Sequence, residues 1–333
     1  MKTIFVIGNG FDLAHDLKTS YGHFLDSIDN SKFESNDLLF ILKHARNTGN
    51  WSDIEYFYFT LLKNCDNIEG YLNDNFGVLV DDYSSQRLDK DFNEIKTILE
   101  EYLDNEQKSL KLIDEYSIIF TTFNNEDTLI LDFNYTDTIY KYLNGKSSGI
   151  KHIKIHGELN EIENPIIFGF AADNNQSKML SDKNDEYLMK NIKKLCYLRT
   201  DNELKLKDML NNSRCEEIDV FILGHSCGVS DKLILHELFN HKFVKNITIF
   251  HYNGWEGFLK TAINIDRIID DYSKNNPEEK AFHKLNNYDL STSMIQKDSD
   301  ELQRLVFNGF TSGIITRHNE KYSRDIGFVS SFM

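Results

Sequence analysis

The chain has 333 residues, of which 40% are hydrophobic, and it contains 24 phenylalanines and 16 tyrosines. This is enough apolar material for one large core or two smaller ones, which excludes disorder as the main state. A formal net charge of −16 at pH 7 disfavours nucleic-acid phosphates and anionic membranes, so we expect neither as a partner. The densest basic group, Lys190, Lys193, Lys194 and Arg199, is interpreted as a solvated helix face.

The four cysteines lie far apart and form no Cys-x-x-Cys pair. The sequence therefore indicates neither a disulfide framework nor a zinc ribbon, and we expect no metal. The N-terminus has no basic-then-apolar export signal, and no apolar run reaches the roughly 18 residues of a membrane span. We therefore expect a soluble, cytoplasmic protein.

The chain opens with a short apolar run that ends abruptly in a glycine pair. Residues 3–7 have the length of a buried strand, and Gly8, Asn9 and Gly10 follow directly. Glycines without a Cβ atom let a ligand approach the backbone, whose free N–H groups then point at an anion. The alternative is a tight turn without a ligand, because Leu13 stands where a complete Gly-x-Gly-x-x-Gly fingerprint has its third glycine.

Helical periodicity dominates from residue 21 to about residue 117, with Ser20 or Thr19 as the first N-cap. Beyond it, short apolar strands alternate with helices, which is typical of a mostly parallel sheet covered on both faces. The strands are expected at residues 128–133, 152–157, 165–170, 218–223 and 247–252. Several of them end in Gly, Asn or His clusters. Since ligands bind outside the carboxyl ends of such strands, we expect these clusters to meet at one crevice.

The same pattern predicts how the chain is divided. A sheet domain is expected from residues 1–20 and 118–277, interrupted by a helical insertion or lid at residues 21–117. Residues 278–333 form a C-terminal extension, in which a helix is expected at 302–310 and an edge strand at 313–317.

Several motifs follow one another between residues 3 and 255. They are Val6–His15 with Leu17–Tyr21, Trp51–Glu55, Phe133–Thr136, Ile155–Gly157, Ile167–Gly169, and Gly224-His225-Ser226-x-Gly228-x-x-Asp231. In this order they resemble the motifs of the bacteriophage abortive-infection family AbiH, and several motifs in order are more specific than any single one. AbiH proteins in turn resemble the sirtuin-like NAD-binding fold. The resemblance therefore implies a Rossmann-type, sirtuin-like nucleotide-binding sheet with the helical block inserted after its first strand.

The resemblance also implies an NAD site. Matched residue by residue, Gly8 and Gly10 would hold the pyrophosphate, and Gly224 with Ser226 would contact the adenosine part. Asn9, Asp12, Tyr21, His225 and Asp231 are further candidates for cofactor binding at this site. Its catalytic residues would be Asn134, beside the nicotinamide ribose, and His156, the base. Sirtuin deacylases carry a four-cysteine zinc module that this chain lacks, so the implied chemistry is NAD cleavage and not protein deacylation.

The residue types at the two catalytic positions fit that chemistry. An imidazole can take a proton from a ribose hydroxyl or a water at neutral pH, although His156 can equally cap a strand by bonding to backbone. The Asn134 amide can bind a ribose hydroxyl without adding charge to an oxocarbenium-like centre. Alternatively, Asn134 forms an Asx turn before the helix that follows.

The favoured function is an anti-phage abortive-infection effector that binds NAD and hydrolyses its nicotinamide glycosidic bond, giving ADP-ribose and nicotinamide. The alternative is a non-catalytic sensor of NAD or ADP-ribose in phage defence, reporting to a homo-oligomer or to a partner protein of the defence system.

A third hypothesis comes from residues 224–228, which fit the Gly-x-Ser-x-Gly pattern of a nucleophile elbow between a strand and a helix. A serine hydrolase using Ser226 needs an acid and then a histidine downstream. The candidates are Asp266, Asp270 and Asp271, with His283 or His318. This hypothesis leaves the first glycine pair, Asn134 and His156 unexplained.

Overall fold

The computed structural model describes residues 2–29, 35–47, 54–123, 126–143, 149–211, 217–273 and 284–330. The chain divides into two compact units. The sheet unit contains residues 1–17, 107–156 and 202–333, and the helical unit contains residues 18–106 and 157–201. Residues 157–201 thus group with the helices that follow the first strand, whereas the proposed insertion ends at residue 117.

The sheet unit is built on five strands that all run parallel, so the predicted α/β class with a parallel sheet is confirmed. The strands are β1 (Lys2–Ile7), β2 (Thr128–Asp132), β3 (Lys151–Lys154), β4 (Ile218–Leu223) and β5 (Val244–Phe250). Their order is β3-β2-β1-β4-β5. After β1 the chain adds β2 and then β3 on one side of it, and then β4 and β5 on the other side. The carboxyl ends of β1 and β4 therefore flank the point where open parallel sheets bind ligands.

Helices connect and cover these strands. In chain order they are α1 (Asn9–Ala14), α2 (Tyr21–Ser27), α3 (Asp37–Asn47), α4 (Ile54–Lys63), α5 (Ile68–Phe76), α6 (Ser85–Glu106), α7 (Asp114–Thr122), α8 (Thr138–Leu143), α9 (Asn174–Ser181), α10 (Lys193–Cys196), α11 (Asn202–Asn211), α12 (Lys232–Phe239), α13 (Gly254–Ser273) and α14 (Glu301–Ser330). Across the described residues, none of them combines the length and the apolar character needed to cross a membrane.

Two predicted strands are wrong. Residues 165–170 make only isolated bridges in the helical unit, where Pro165 pairs with Glu158 and Phe170 with Ile192. The predicted edge strand at 313–317 lies inside α14, because Phe307, Thr311 and Ile314 recur at helical spacing and pack against the core of the sheet unit. Apolar runs this short do not distinguish a strand from a buried helix segment.

The core of the sheet unit is rich in aromatic rings. Phe5 of β1 lies 5.3–5.4 Å, centroid to centroid, from Phe120, Phe123 and Phe221. Such contacts add roughly 0.5–1.5 kcal/mol per pair to the burial of apolar surface. They hold β1 and β4 against α7 and so fix the strand ends at which the candidate site lies.

The helical unit is held together by a buried ion pair. Glu55 of α4 accepts a hydrogen bond from the Gly169 N–H at 2.9 Å and lies 3.1 Å from the Lys193 ammonium. Both charged side chains are buried, so Lys193 is not part of the solvated face that the sequence suggested. The contact from Glu55 to Gly169 also joins the motif at residues 51–55 to the motif at residues 167–169. Trp51 and Asp53 of the first motif lie outside the described residues. Ser20 caps α2 by accepting from the His23 N–H, as predicted.

Candidate functional site

The turn after β1 lies directly against the end of β4. The Gly8 N–H donates to the Leu223 carbonyl at 3.1 Å, and the Gly10 N–H donates to the Gly224 carbonyl at 2.8 Å. A Cβ atom on Gly8 would come within 2.6 Å of the His225 Cα, and one on Gly10 within 2.8 Å of the Gly224 backbone. Both glycines are therefore required by the close approach of two loops.

This contact changes the interpretation of the first motif. The expectation that both glycines offer free N–H groups to an anion is wrong, because the carbonyls of Leu223 and Gly224 already accept them. Gly224 itself has φ +70°, and a Cβ atom there would meet the Phe11 nitrogen at 2.2 Å. Asn9 begins α1 and is exposed. Ligand binding at this turn stays a prediction.

Asn134 follows β2 and is tied to the same turn. Its Nδ2 donates to the Gly8 carbonyl and to Asp12 Oδ1, each at 3.2 Å, and its backbone N–H donates to Asp132 Oδ1 at 2.9 Å. Two acceptors on one side of the amide identify that atom as nitrogen. The carbonyl oxygen therefore points away from Asp12, and no hydrogen-bond donor is recorded for it within the described parts of the chain.

Asp12 is a buried carboxylate surrounded by hydroxyl groups. Its Oδ2 accepts from the Thr136 hydroxyl at 2.7 Å. Burial raises the pKa of Asp12 to about 6, and hydrogen bonds from Thr138 and Thr136 limit the rise. The carboxylate is thus mostly ionised at neutral pH and is the acceptor that holds the Asn134 amide in place.

His156 follows β3 and faces a second carboxylate. Its Nε2 lies 3.0 Å from Asp231 Oδ1, and its Nδ1 lies 3.1 Å from the Phe133 carbonyl. Asp231 lies just before α12, and its other oxygen lies 3.4 Å from His225 Nε2. All three side chains are buried. The Asp231 carboxylate therefore lies between the imidazoles of His156 and His225, beside Phe133, which precedes Asn134.

The backbone around the two rings indicates where their protons lie. Only an N–H can pair with the Phe133 carbonyl, so Nδ1 of His156 carries a proton and Nε2 faces Asp231. His225 has the opposite arrangement, because its Nδ1 accepts from the Cys227 N–H at 2.9 Å. A neutral His225 thus directs its Nε2–H at Asp231. A metal would need that nitrogen unprotonated, and within the described residues no group of three or more His, Cys, Asp or Glu side chains is placed to hold one.

The side chain of Ser226 differs in burial from those of its neighbours His225 and Cys227. Ser226 is exposed, and the described residues bring no histidine to its hydroxyl. Of the proposed partners, the side chains of Asp270, Asp271, His283 and His318 lie outside the described residues. Cys227 is buried, and burial raises the pKa of its thiol well above the ordinary value, which disfavours the thiolate.

Sequence comparison identifies the family. The family model for bacteriophage abortive infection AbiH matches residues 4–253. The chain belongs to the AbiH family. A search of curated proteins gave no match. The matched region includes the cluster from Gly8 to Asp231 and leaves α13 and α14 outside.

In this AbiH chain the predicted site residues fall into two sets. One set lies at the carboxyl ends of β1 to β4 in the sheet unit and comprises Gly8, Asn9, Gly10, Asp12, Asn134, His156, Gly224, His225, Ser226 and Asp231. Tyr21 instead begins α2 in the helical unit, where its ring meets the edge of Phe168 at 5.9 Å. A role for Tyr21 at the nucleotide stays a prediction.

Sequence reasoning missed three side chains of the same edge. Thr136 donates to Asp12, His152 lies 3.1 Å from Asp132, and Lys154 contacts the loop after β2. A signal for two of them was present, because His152 and Lys154 alternate along one strand and so share one face, two residues before His156.

Proposed function

We propose that this AbiH protein is an anti-phage effector that binds NAD at the carboxyl edge of its sheet and hydrolyses the nicotinamide glycosidic bond. One observation carries the proposal. His156 pairs with the carbonyl of Phe133, the residue before Asn134; Asn134 is bonded to Gly8 and Asp12 after β1, and His156 faces Asp231 after β4. In a parallel sheet this edge is the place where a nucleotide is expected.

The proposed chemistry needs a proton acceptor and a hydroxyl-binding group. Water attacks C1′ of the nicotinamide ribose while the bond from C1′ to the nicotinamide nitrogen breaks. The electron pair of that bond neutralises the positive charge of the leaving nicotinamide, so the leaving group needs no acid. The proton of the water passes to the pair formed by His156 and Asp231. Asn134 binds a ribose hydroxyl through the oxygen that faces away from Asp12.

We assign the proton to the pair because His156 Nε2 already faces Asp231 at 3.0 Å. With Nδ1 protonated, Nε2 is the ring nitrogen that can accept a proton, and Asp231 stabilises the imidazolium that forms. In this proposal Asp231, which the sequence offered as a cofactor-binding candidate, lies at the reacting ribose.

The finer fold assignment, a sirtuin-like Rossmann-type sheet, is part of the same proposal. The pyrophosphate would lie over the β1–α1 turn, where the glycines keep side chains out of the way. Because the N–H groups of Gly8 and Gly10 are occupied, the exposed residues Asn9 and Ser226 are the contacts we propose for it.

The test is turnover by matched variants. Purified wild-type protein should convert NAD to nicotinamide and ADP-ribose, and both His156→Ala and Asn134→Ala should lose at least a hundredfold in rate while keeping the wild-type circular dichroism spectrum. His23→Ala, which changes an exposed histidine of α2, is the control and should turn over normally. Retained turnover in both site variants would sink the assignment.

A nucleotide sensor is the second candidate, and one feature favours it. Nδ1 of His156 and the Asn134 amide nitrogen are already bonded within the protein, as expected of a rigid binding site. For a sensor, NAD raises the melting temperature and no nicotinamide is released.

A further inference from the structure

Strand β3 and the turn after it present three basic side chains to the segment that carries Asn134. His152 and Lys154 alternate along β3 and so lie on one face of the sheet, and His156 follows in the turn. His152 Nε2 lies 3.1 Å from Asp132 Oδ2, the Lys154 ammonium donates to the Tyr135 carbonyl at 3.0 Å and to Asp137 at 2.8 Å, and His156 meets the Phe133 carbonyl. The segment 132–137 is thus held at four successive points.

The contact between His152 and Asp132 fixes the start of the segment that carries Asn134. Asp132 is fully buried, and its two oxygens have separate partners: His152 on one and the Asn134 N–H on the other. An ionised carboxylate without partners is costly in the interior, so His152 keeps Asp132 available as the acceptor for Asn134.

The contacts of Lys154 with Tyr135 and Asp137 fix the end of this segment. Lys154 is 5% exposed, although lysine is among the residues least often buried. Its ammonium reaches across to the loop after β2, and its own carbonyl accepts from the Asn202 amide at 2.8 Å. A buried lysine with two loop acceptors is expected where a loop must keep one conformation, because hydrogen bonds from a charged donor are stronger than those between neutral groups.

We propose that His152 and Lys154 are positioning residues for Asn134, which hold the segment 132–137 so that the Asn134 side chain oxygen faces the ligand. Neither side chain touches the proposed substrate. The effect on turnover rests on the proposed function, whereas the effect on the segment does not.

Hydrogen exchange tests the structural part without any turnover. The variants Lys154→Met and His152→Leu remove the two contacts, and His152→Gln retains a donor to Asp132. We expect peptides covering 133–138 to exchange at least tenfold faster in the first two variants and at the wild-type rate in His152→Gln. Lys151→Met, at an exposed position of the same strand, is the control and should leave the rate unchanged. Unchanged exchange in both Lys154→Met and His152→Leu overturns the inference.

Should Lys154→Met fail to fold, Asp137→Ala removes a partner of Lys154 at a half-exposed position. Peptides covering 133–138 should then exchange at least tenfold faster in Asp137→Ala, and an unchanged rate overturns the inference. With NAD as substrate, Lys154→Met should raise KM at least tenfold with a smaller change in kcat, because Asn134 binds the ribose. An unchanged KM together with accelerated exchange overturns the positioning role. Absence of turnover in the wild type counts against the proposed function alone, and the exchange data still decide the structural part.

Discussion

Asp12 connects the protonation of the site to the position of Asn134. Its pKa, raised to about 6 by burial, means that the ionised form costs stability: the stabilising contribution is complete below the ordinary value of 3.8 and is lost as the pH rises through 6. The ionised form is nevertheless the one that accepts from both Asn134 and Thr136. The site therefore gains an oriented amide at the expense of stability.

From this follows a pH dependence of binding. Protonated Asp12 loses an acceptor, so NAD affinity should fall about tenfold per pH unit below 6. Thr136→Val removes a hydrogen bond that lowers the Asp12 pKa, and it should move this transition to higher pH. Calorimetric titration with NAD between pH 5 and 8 measures both. An affinity independent of pH in the wild type would contradict this role for Asp12.

Burial shifts the pKa of His15, in the core, in the opposite direction to that of Asp12. Its Nδ1–H donates to the Phe11 carbonyl, Nε2 accepts from the Tyr142 hydroxyl, and burial lowers its pKa to about 4. The unfolded chain binds the proton more readily, so this stability is present above pH 6.5 and is lost as the pH falls towards 4.

The expected loss for His15 is about 3 kcal/mol in the free energy of unfolding between these pH values. His15→Gln should lower stability at pH 7 and flatten the pH dependence, measured by urea unfolding at pH 4.5 and 7. A wild-type pH profile in the variant would assign the dependence to another group.

At the scale of elements, the contact between the β1–α1 turn and the end of β4 joins the two halves of the sheet at its centre. Gly10→Ala has no room for its methyl group against the Gly224 backbone and should cost about 1–3 kcal/mol of stability. Gly309→Ala is the matched control in α14. No atom lies within 4 Å of the new Cβ there, so the change should stabilise the helix by about 0.5–1 kcal/mol. Equal effects of the two substitutions, measured by thermal unfolding, would contradict the close approach.

The parallel strands were predictable from sequence because they are covered on both faces and therefore form continuous apolar runs. The segment 165–170 has the same composition and is not a strand, because a side chain, Glu55, and the Asn191 carbonyl accept its N–H groups. The segment 313–317 is likewise not a strand, because it continues α14, where Gly313 lies on the exposed side and is tolerated within the helix. Long-range partners of this kind are not encoded in local periodicity.

The site was predictable only in part for the same reason. Asn134 and His156 stood out as polar residues at strand ends, and the strand order brings them to one edge. The pairing of His156 with Asp231 could not be predicted, because it depends on how the turn before α12 packs. The occupation of the glycine N–H groups by β4 likewise depends on sheet order, which the sequence alone does not specify.

At the scale of the whole molecule, the polar cluster lies in the sheet unit, on the side of the sheet where its strands end. Every contact proposed for turnover, namely those of Asn134, His156, Asp231 and Asp12, belongs to that unit. The protein carries a net charge of −16 and the nucleotide is an anion, so we expect NAD affinity to rise with salt as the repulsion is screened. The central claim is nevertheless chemical.

The most direct test of that claim is incubation of the purified full chain with NAD, following nicotinamide and ADP-ribose by chromatography and running His156→Ala alongside. We expect equal amounts of both products from the wild type and none from the variant. Products from both proteins would contradict the role of His156. No product from the wild type, with NAD still raising its melting temperature, would contradict the hydrolase and favour the sensor.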